Sequence, residues 1–548
     1  MLNRHRGLFC FLLLLSLPAL ACGFGDADGP PRNAAVVEVM ANTSLAPWLT
    51  AEVEAFNERE VETESGQQVY VQLTTADAGQ AIIDMQAGTP VNLWVPDQHV
   101  WTNVMAREGH DGFQNSCASV ATSPLVIAVW RPVAQALGWP GRDLGWLDVG
   151  SLAADPTSWD YYSGGQFGAT LRLGHTHPGL SASGANTLLA LVQAAESKTT
   201  AVEAADIEQP IVQASVGAFE GAVSWFSNNT GALAEAMGER GVQFLGAAVL
   251  YESDVINYGA GDPDVVPIYP FEGTFVAEHP ACINANSTAV AREAAQIFRD
   301  YLLDETAQES AVAYGLRPVN DDVTVGPPLD ESRGVDLEQP QTVFAAPNVD
   351  AIYAVQELWQ SARKDVNLVM VIDVSGSMSG RKIESVRQSA VQFIEQMGED
   401  DYLSIISFSS MPQPLVKYER VGDGREAMIQ TVRDLEAQGD TSLYDAIADG
   451  ANLLRNTGTP ETTNALVLLT DGLDTSSFRH SQDSAVQVLA ETDSTVFTIA
   501  FGNDADENLL ENIALSANGN FFRGDEASIA AIYDEMSAAF GGALGVGR

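Results

Sequence analysis

The run Asn367-Leu-Val-Met-Val-Ile-Asp373 constrains this chain more than any other segment. Its interior, Leu368 to Ile372, is apolar without polar alternation, and a strand of that kind must be buried on both faces. It stops abruptly at an acidic residue and the small polar loop Asp373-Val-Ser-Gly-Ser377. Beyond that loop Ile383, Val386, Ala390, Phe393, Ile394 and Met397 recur at helical spacing, giving one apolar stripe to lay against a sheet. Further strands are expected at Tyr402 to Phe408, Ala465 to Thr470 and Thr495 to Phe501. Strands alternating with amphipathic helices specify an α/β unit whose parallel sheet is covered on both sides.

In such a sheet, loops at the carboxyl edge can present polar groups without disturbing the core. Three loops do so: Asp373 to Ser377, Gly439-Asp-Thr-Ser-Leu-Tyr-Asp445, and Thr470-Asp-Gly472. Their donors are oxygens, the set preferred by a hard cation. A phosphate cradle at Gly376 and Gly380 is disfavoured, because no Walker-type lysine follows and acidic side chains flank the loop. Asp373, Ser375, Ser377, Thr441 and Asp471 closely resemble the metal-ion-dependent adhesion site of von Willebrand factor A-type domains, and the resemblance covers residues 365–540. It implies a doubly wound, Rossmann-like fold holding Mg²⁺, or Mn²⁺ or Ca²⁺ in its place. Ser375 and Ser377 would bind the metal directly, Thr441 directly or through water, and Asp373 and Asp471 through water. The sixth position would stay open to a carboxylate from a protein partner. The alternative is a degenerate domain kept for packing, against which all five positions are filled.

Residues 34–320 also alternate strands and helices, with strands expected at Val36 to Met40, Val69 to Leu73, Leu93 to Val95, Leu125 to Val129 and Phe167 to Leu173. The order of Ala41-Asn-Thr-Ser44, Leu93-Trp-Val-Pro-Asp97, Thr122-Ser-Pro-Leu-Val-Ile-Ala128, Ser181-Ala-Ser-Gly184, Tyr269-Pro-Phe-Glu-Gly273 and Gly315-Leu-Arg-Pro318 resembles that of bacterial extracytoplasmic solute-binding proteins of the type II periplasmic kind. That resemblance implies two lobes around a cleft, with Thr43, Ser44, Ser123 and Ser183 facing it to grip a polar solute. Each of the four could equally be a helix N-cap. His175 and His177 fall short of a zinc site and read as loop histidines. Trp94, Trp101, Trp225 and Phe226 read as core. Residues 321–364 read as a surface linker and a connecting helix, and 541–548 as a tail.

Arg4 and Arg6, the apolar run through Leu17, Pro18 and Ala21 have the layout of a signal peptide over residues 1–21, too short to cross a bilayer as an anchor. Pro18-Ala-Leu-Ala-Cys22-Gly23 resembles a bacterial lipobox, with Ala19 where leucine is usual, so Cys22 is expected to carry lipid and 22–33 to be a tether. That leaves Cys117 and Cys282, two thiols in an exported chain, which suggest one disulfide; two separately buried free cysteines are the alternative.

With 73 acidic against 27 basic residues and a formal charge of −46, the surface repels nucleic acid and anionic lipid. Membrane attachment must then come from lipid, placing the protein on the outer face of the cell membrane, in the periplasm or at the cell surface. No zinc-protease motif or nucleophile elbow is present, and the expected function is binding without catalysis. The sequence leaves two functions to weigh. One is cell-surface recognition through the metal, with a solute or second partner on the first domain. The other is a solute receptor delivering to the permease of an ABC-type transport system.

Overall fold

The structure is a computed structural model that describes residues 29–492, 494–542 and 545–546. The expected signal segment, Cys22 and residues 22–28 of the tether lie outside the described residues.

Eleven strands follow in order through the first half. They are β1 (Ala35–Ala41), β2 (Val69–Thr75), β3 (Leu93–Val95), β4 (Cys117–Ser119), β5 (Ser123–Trp130), β6 (Leu173–Thr176), β7 (Val223–Ser227), β8 (Ala247–Tyr251), β9 (Val265–Ile268), β10 (Val276–Ala277) and β11 (Pro280–Ile283). One sheet has the order β2-β1-β3-β11-β4, and the other β10-β5-β8-β6-β7 with β9 beside β5. The chain therefore builds most of one lobe, crosses to the second between β4 and β5, and returns between β10 and β11. Cys117 and Cys282 sit opposite each other on β4 and β11 and are joined by a disulfide.

The second half adds β12 (Val366–Asp373), β13 (Tyr402–Phe408), β14 (Pro412–Arg420), β15 (Thr463–Thr470), β16 (Thr495–Phe501) and β17 (Phe521–Gly524). They form one sheet in the order β14-β13-β12-β15-β16-β17, parallel except for the edge strand β14. All eight residues of β12 are buried, as its unbroken apolar run requires. The chain winds from β12 outward to β14 and then returns to β15 on the other side of β12. The strand order therefore reverses at the carboxyl end of β12, where a crevice opens in folds of this type.

Two expectations change. The strand expected at Phe167 to Leu173 starts only at Leu173, because Gly168 adopts a φ of +92° and its carbonyl accepts the Trp159 indole N–H, turning the chain before the sheet. The segment read as a surface linker is fastened down. Val323, Leu329 and Val335 are buried with Ile256 and Val312. The Arg317 guanidinium, held by Glu252 at 2.6 and 2.8 Å, also donates to the carbonyls of Asp336 and Gln339 at 3.2 and 2.6 Å.

The two halves share a core. Trp225 of β7 stacks on Phe497 of β16 with ring centroids 5.6 Å apart. The connecting helix Val349–Ala362 touches both lobes: Trp359 Nε1 donates to Glu220 Oε2 at 2.9 Å on one, and Tyr353 donates to Glu108 at 2.6 Å on the other, next to an ion pair between Arg107 and Asp350.

Candidate metal centre and ligand cleft

At the reversal point the end of β12 supplies Asp373. Its Oδ1 accepts the Ser375 backbone N–H at 2.8 Å and its Oδ2 the Thr470 hydroxyl at 2.6 Å, so the side chain is held from two loops. The Ser375 and Ser377 hydroxyls lie 3.0 Å apart, and Ser377 donates to Asp471 Oδ1 at 2.7 Å. The Gly376 N–H donates to the Gly439 carbonyl at 2.9 Å, drawing the first loop onto the second. The Thr441 backbone N–H donates to the Thr475 hydroxyl at 2.9 Å and its carbonyl accepts the Thr475 N–H at 2.8 Å, while its own hydroxyl faces Gly472, where an added Cβ would lie 3.9 Å away. Four of the five expected ligands thus form one hydrogen-bonded row, with Thr441 beside it.

The donor set suits a hard cation: three hydroxyls and two carboxylates, with no thiolate or imidazole. No cluster of three or more histidine, cysteine or acidic side chains with metal-holding geometry occurs among the described residues, as expected for a site built mainly on hydroxyls. Burial pushes the Asp373 carboxyl up, and the nearby Asp471 adds to the rise, against the lowering effect of Thr470 and Ser375. Asp471 already draws a cation, since Lys382 Nζ lies 2.5 Å from its Oδ2.

One supporting residue went unassigned in the sequence. Asp445, fully buried, accepts the backbone N–H groups of Phe478, Arg479 and His480 at 3.2, 3.1 and 2.8 Å, which anchors the loop after Asp471. Burial alone would raise its carboxyl, but those N–H groups and the Arg479 guanidinium outweigh it and hold it below the ordinary value.

In the first half the expected hydroxyls divide. Thr43 and Ser183 belong to a network around Asp77, which sequence reasoning missed. The Thr43 hydroxyl donates to Asp77 Oδ1 at 2.5 Å, while Ser183 lies 2.7 Å from Thr176, 3.0 Å from Ser181 and 2.8 Å from Thr230. Gly184 lets this helix start press against β6, since a Cβ there would sit 2.1 Å from the Thr176 carbonyl oxygen. Ser44 instead donates to Asp254 at 2.9 Å, and Ser123 pairs with Ser253 at 3.2 Å. Asp97 accepts from Asn42 at 2.9 Å. Burial, with Asp77 nearby, pushes Asp97 up to about 8 against the easing effect of the Tyr251 hydroxyl. Burial likewise raises Asp254 to about 7 despite the Ser44 hydroxyl. Only one signal for Asp77 stood in the sequence, an acid directly before a helix, and that usually marks a cap.

His175 is a strand residue and not a loop residue, whereas His177 lies in the loop that follows β6, as expected. His175 lies in β6 with its Nε2 3.0 Å from Glu220, and His177, next to β6, sits 2.8 Å from the Gly542 carbonyl of the second half; both are buried. Trp94 and Trp101 are fully buried.

A two-lobed clamp fused to a doubly wound sheet with an oxygen-lined crevice defines an extracellular-type binding protein with an appended A-type domain. The chain belongs to the bacterial extracellular solute-binding protein family, whose model matches residues 37–317, and a von Willebrand factor type A domain matches residues 367–535. Over 158 residues it is 30% identical to an uncharacterized protein of Synechocystis sp., covering 29% of this chain and 37% of that one. Over 171 residues it is 30% identical to inter-alpha-trypsin inhibitor heavy chain H3 of Mesocricetus auratus, covering 28% of this chain and 18% of that one. The chain thus spans well under half the length of these curated relatives. The solved periplasmic binding protein P5PA is 13% identical with a TM-score of 0.43, covering 60% of this chain and 99% of that one. Among the described residues no helix is long and apolar enough to cross a membrane.

Proposed function

We propose that this is an exported, lipid-anchored, non-catalytic binding protein whose A-type domain holds a divalent cation and through it docks an acidic protein partner. The observation that carries this reading is the row Asp373, Ser375, Ser377 and Asp471 at the reversal point, with Thr441 alongside. Mg²⁺ favours six oxygens and gives up its waters reluctantly. A site that offers mostly neutral hydroxyls as direct ligands leaves the ion electrophilic, so a glutamate or aspartate from a partner can complete the shell. The lipid anchor rests on Cys22 in its lipobox-like setting, and the small ligand or second partner of the first domain on the solute-binding family.

The test is calorimetric titration of Mg²⁺ and Mn²⁺ into metal-stripped protein, beside Asp373→Ala. Saturable binding near one ion per chain, lost in the variant, is the expected outcome. Absence of binding in the unaltered protein, with an acidic peptide present as well as without it, would sink the reading.

A further inference from the structure

The fully buried carboxylate of Asp77 is bound as a solute would be. Its Oδ1 receives the Thr43 N–H at 3.3 Å, the Thr43 hydroxyl at 2.5 Å and the Asn42 amide at 3.2 Å. Its Oδ2 receives the Ser181 hydroxyl at 2.5 Å, and the Thr230 N–H and hydroxyl at 2.9 and 2.8 Å. These six donors, none of them a cationic side chain, saturate a carboxylate, which has about four lone-pair sites.

The donors come from both lobes. Asn42 and Thr43 follow β1, and Asp77 itself follows β2, all on the first lobe; Ser181 follows β6 and Thr230 follows β7, both on the second. Asp77 stands at the N-cap of the helix Ala78–Gln86 yet makes no capping bond to it, and Ser181 makes none to its own helix. Both side chains are committed across the cleft. Closure around them is tight: Gln80 N–H donates to the Leu180 carbonyl at 3.0 Å, and a Cβ on Gly79 would sit 2.2 Å from the Gly179 oxygen. Ser44 and Asp254 form a second cross-lobe bond at 2.9 Å.

We propose that Asp77 is a tethered ligand, a carboxylate of the chain itself seated where a small carboxylate solute would bind, and that it keeps the two lobes shut without any solute. The solute-binding half then serves as a closed platform for the A-type domain, which packs on its second lobe through Trp225 and Phe497. The inference is independent of whether the crevice at Asp373 takes a metal.

The experiment uses the full chain in carboxylate-free buffer. In the unaltered protein, amide exchange at Thr230 should be at least about 100-fold slower than in an open loop, and formate or acetate should leave the melting midpoint where it is. Asp77→Ala should melt earlier and regain its midpoint saturably with formate or acetate, though not with chloride at equal ionic strength. Fast exchange at Thr230 in the unaltered protein, or a saturable shift of its midpoint by these anions, overturns the proposal. An Asp77→Ala midpoint equal to the parent's does so as well. Should Asp77→Ala not fold, Asp77→Asn keeps the shape without the charge and is expected to melt below the parent, while fast Thr230 exchange in the parent overturns the proposal without any variant.

Discussion

Asp97 lies among Asp77, Asp254, Asn42 and the Tyr251 hydroxyl, and burial has pushed its carboxyl from the ordinary 3.8 up to about 8. His279, whose backbone N–H donates to the Asp97 carbonyl, is itself driven down to about 3 by burial and carries no charge at neutral pH. The folded protein therefore holds a proton on Asp97 that the unfolded chain has released. Below the unfolded value both states are protonated and the stabilisation is complete; above it unfolding releases a proton, so stability falls as pH rises until the folded carboxyl too ionises near 8 and the stabilisation is gone. Asp97→Asn should accordingly raise the melting midpoint at pH 8 and flatten its decline between pH 5 and 8, by the equivalent of about 1 kcal/mol or more. A midpoint profile parallel to the parent's across that range would refute this assignment.

Among the elements, the loop after β15 decides how well the proposed metal crevice is kept. Asp445 gathers three backbone N–H groups of that loop, so Asp445→Ala leaves them without their acceptor and frees the segment that positions Asp471. Mg²⁺ affinity should fall by about tenfold or more, the usual cost of losing support behind a metal ligand, while the domain stays folded; calorimetry with circular dichroism separates the two effects. The sequence made this region legible because β12 is buried on both faces and its polar loop cannot be core. Position 77 was not legible. Its partners at 42, 43, 181 and 230 come from separate strand and helix junctions, and their meeting depends on the closing of one lobe upon the other. His175 was not legible as a residue of the strand β6 for a related reason: its partners Glu220 and Phe226 come from later elements of the same lobe, which local pattern does not bring to it. Local pattern fixes which face of an element is apolar, but not which distant element will cover it.

Across the whole molecule, the connecting helix acts as a strap over both lobes, and Trp359 is its deepest point. It is fully buried, packs edge-on against Phe226 with centroids 5.3 Å apart, and donates to the buried Glu220. Trp359→Ala should destabilise the protein by about 3–5 kcal/mol, and part of that loss should show as separate melting of the two halves in calorimetry; a single transition at the parent's midpoint would count against a shared core. The disulfide has a consequence of another kind. Cys117 and Cys282 enclose 165 residues of separation, within which almost the entire second lobe lies, while the rest of the first lobe and the whole A-type domain lie outside. A protease that cuts a loop of the second lobe therefore severs the backbone without parting the pieces: the nicked protein should migrate as one chain until a reductant is added, and only then as two.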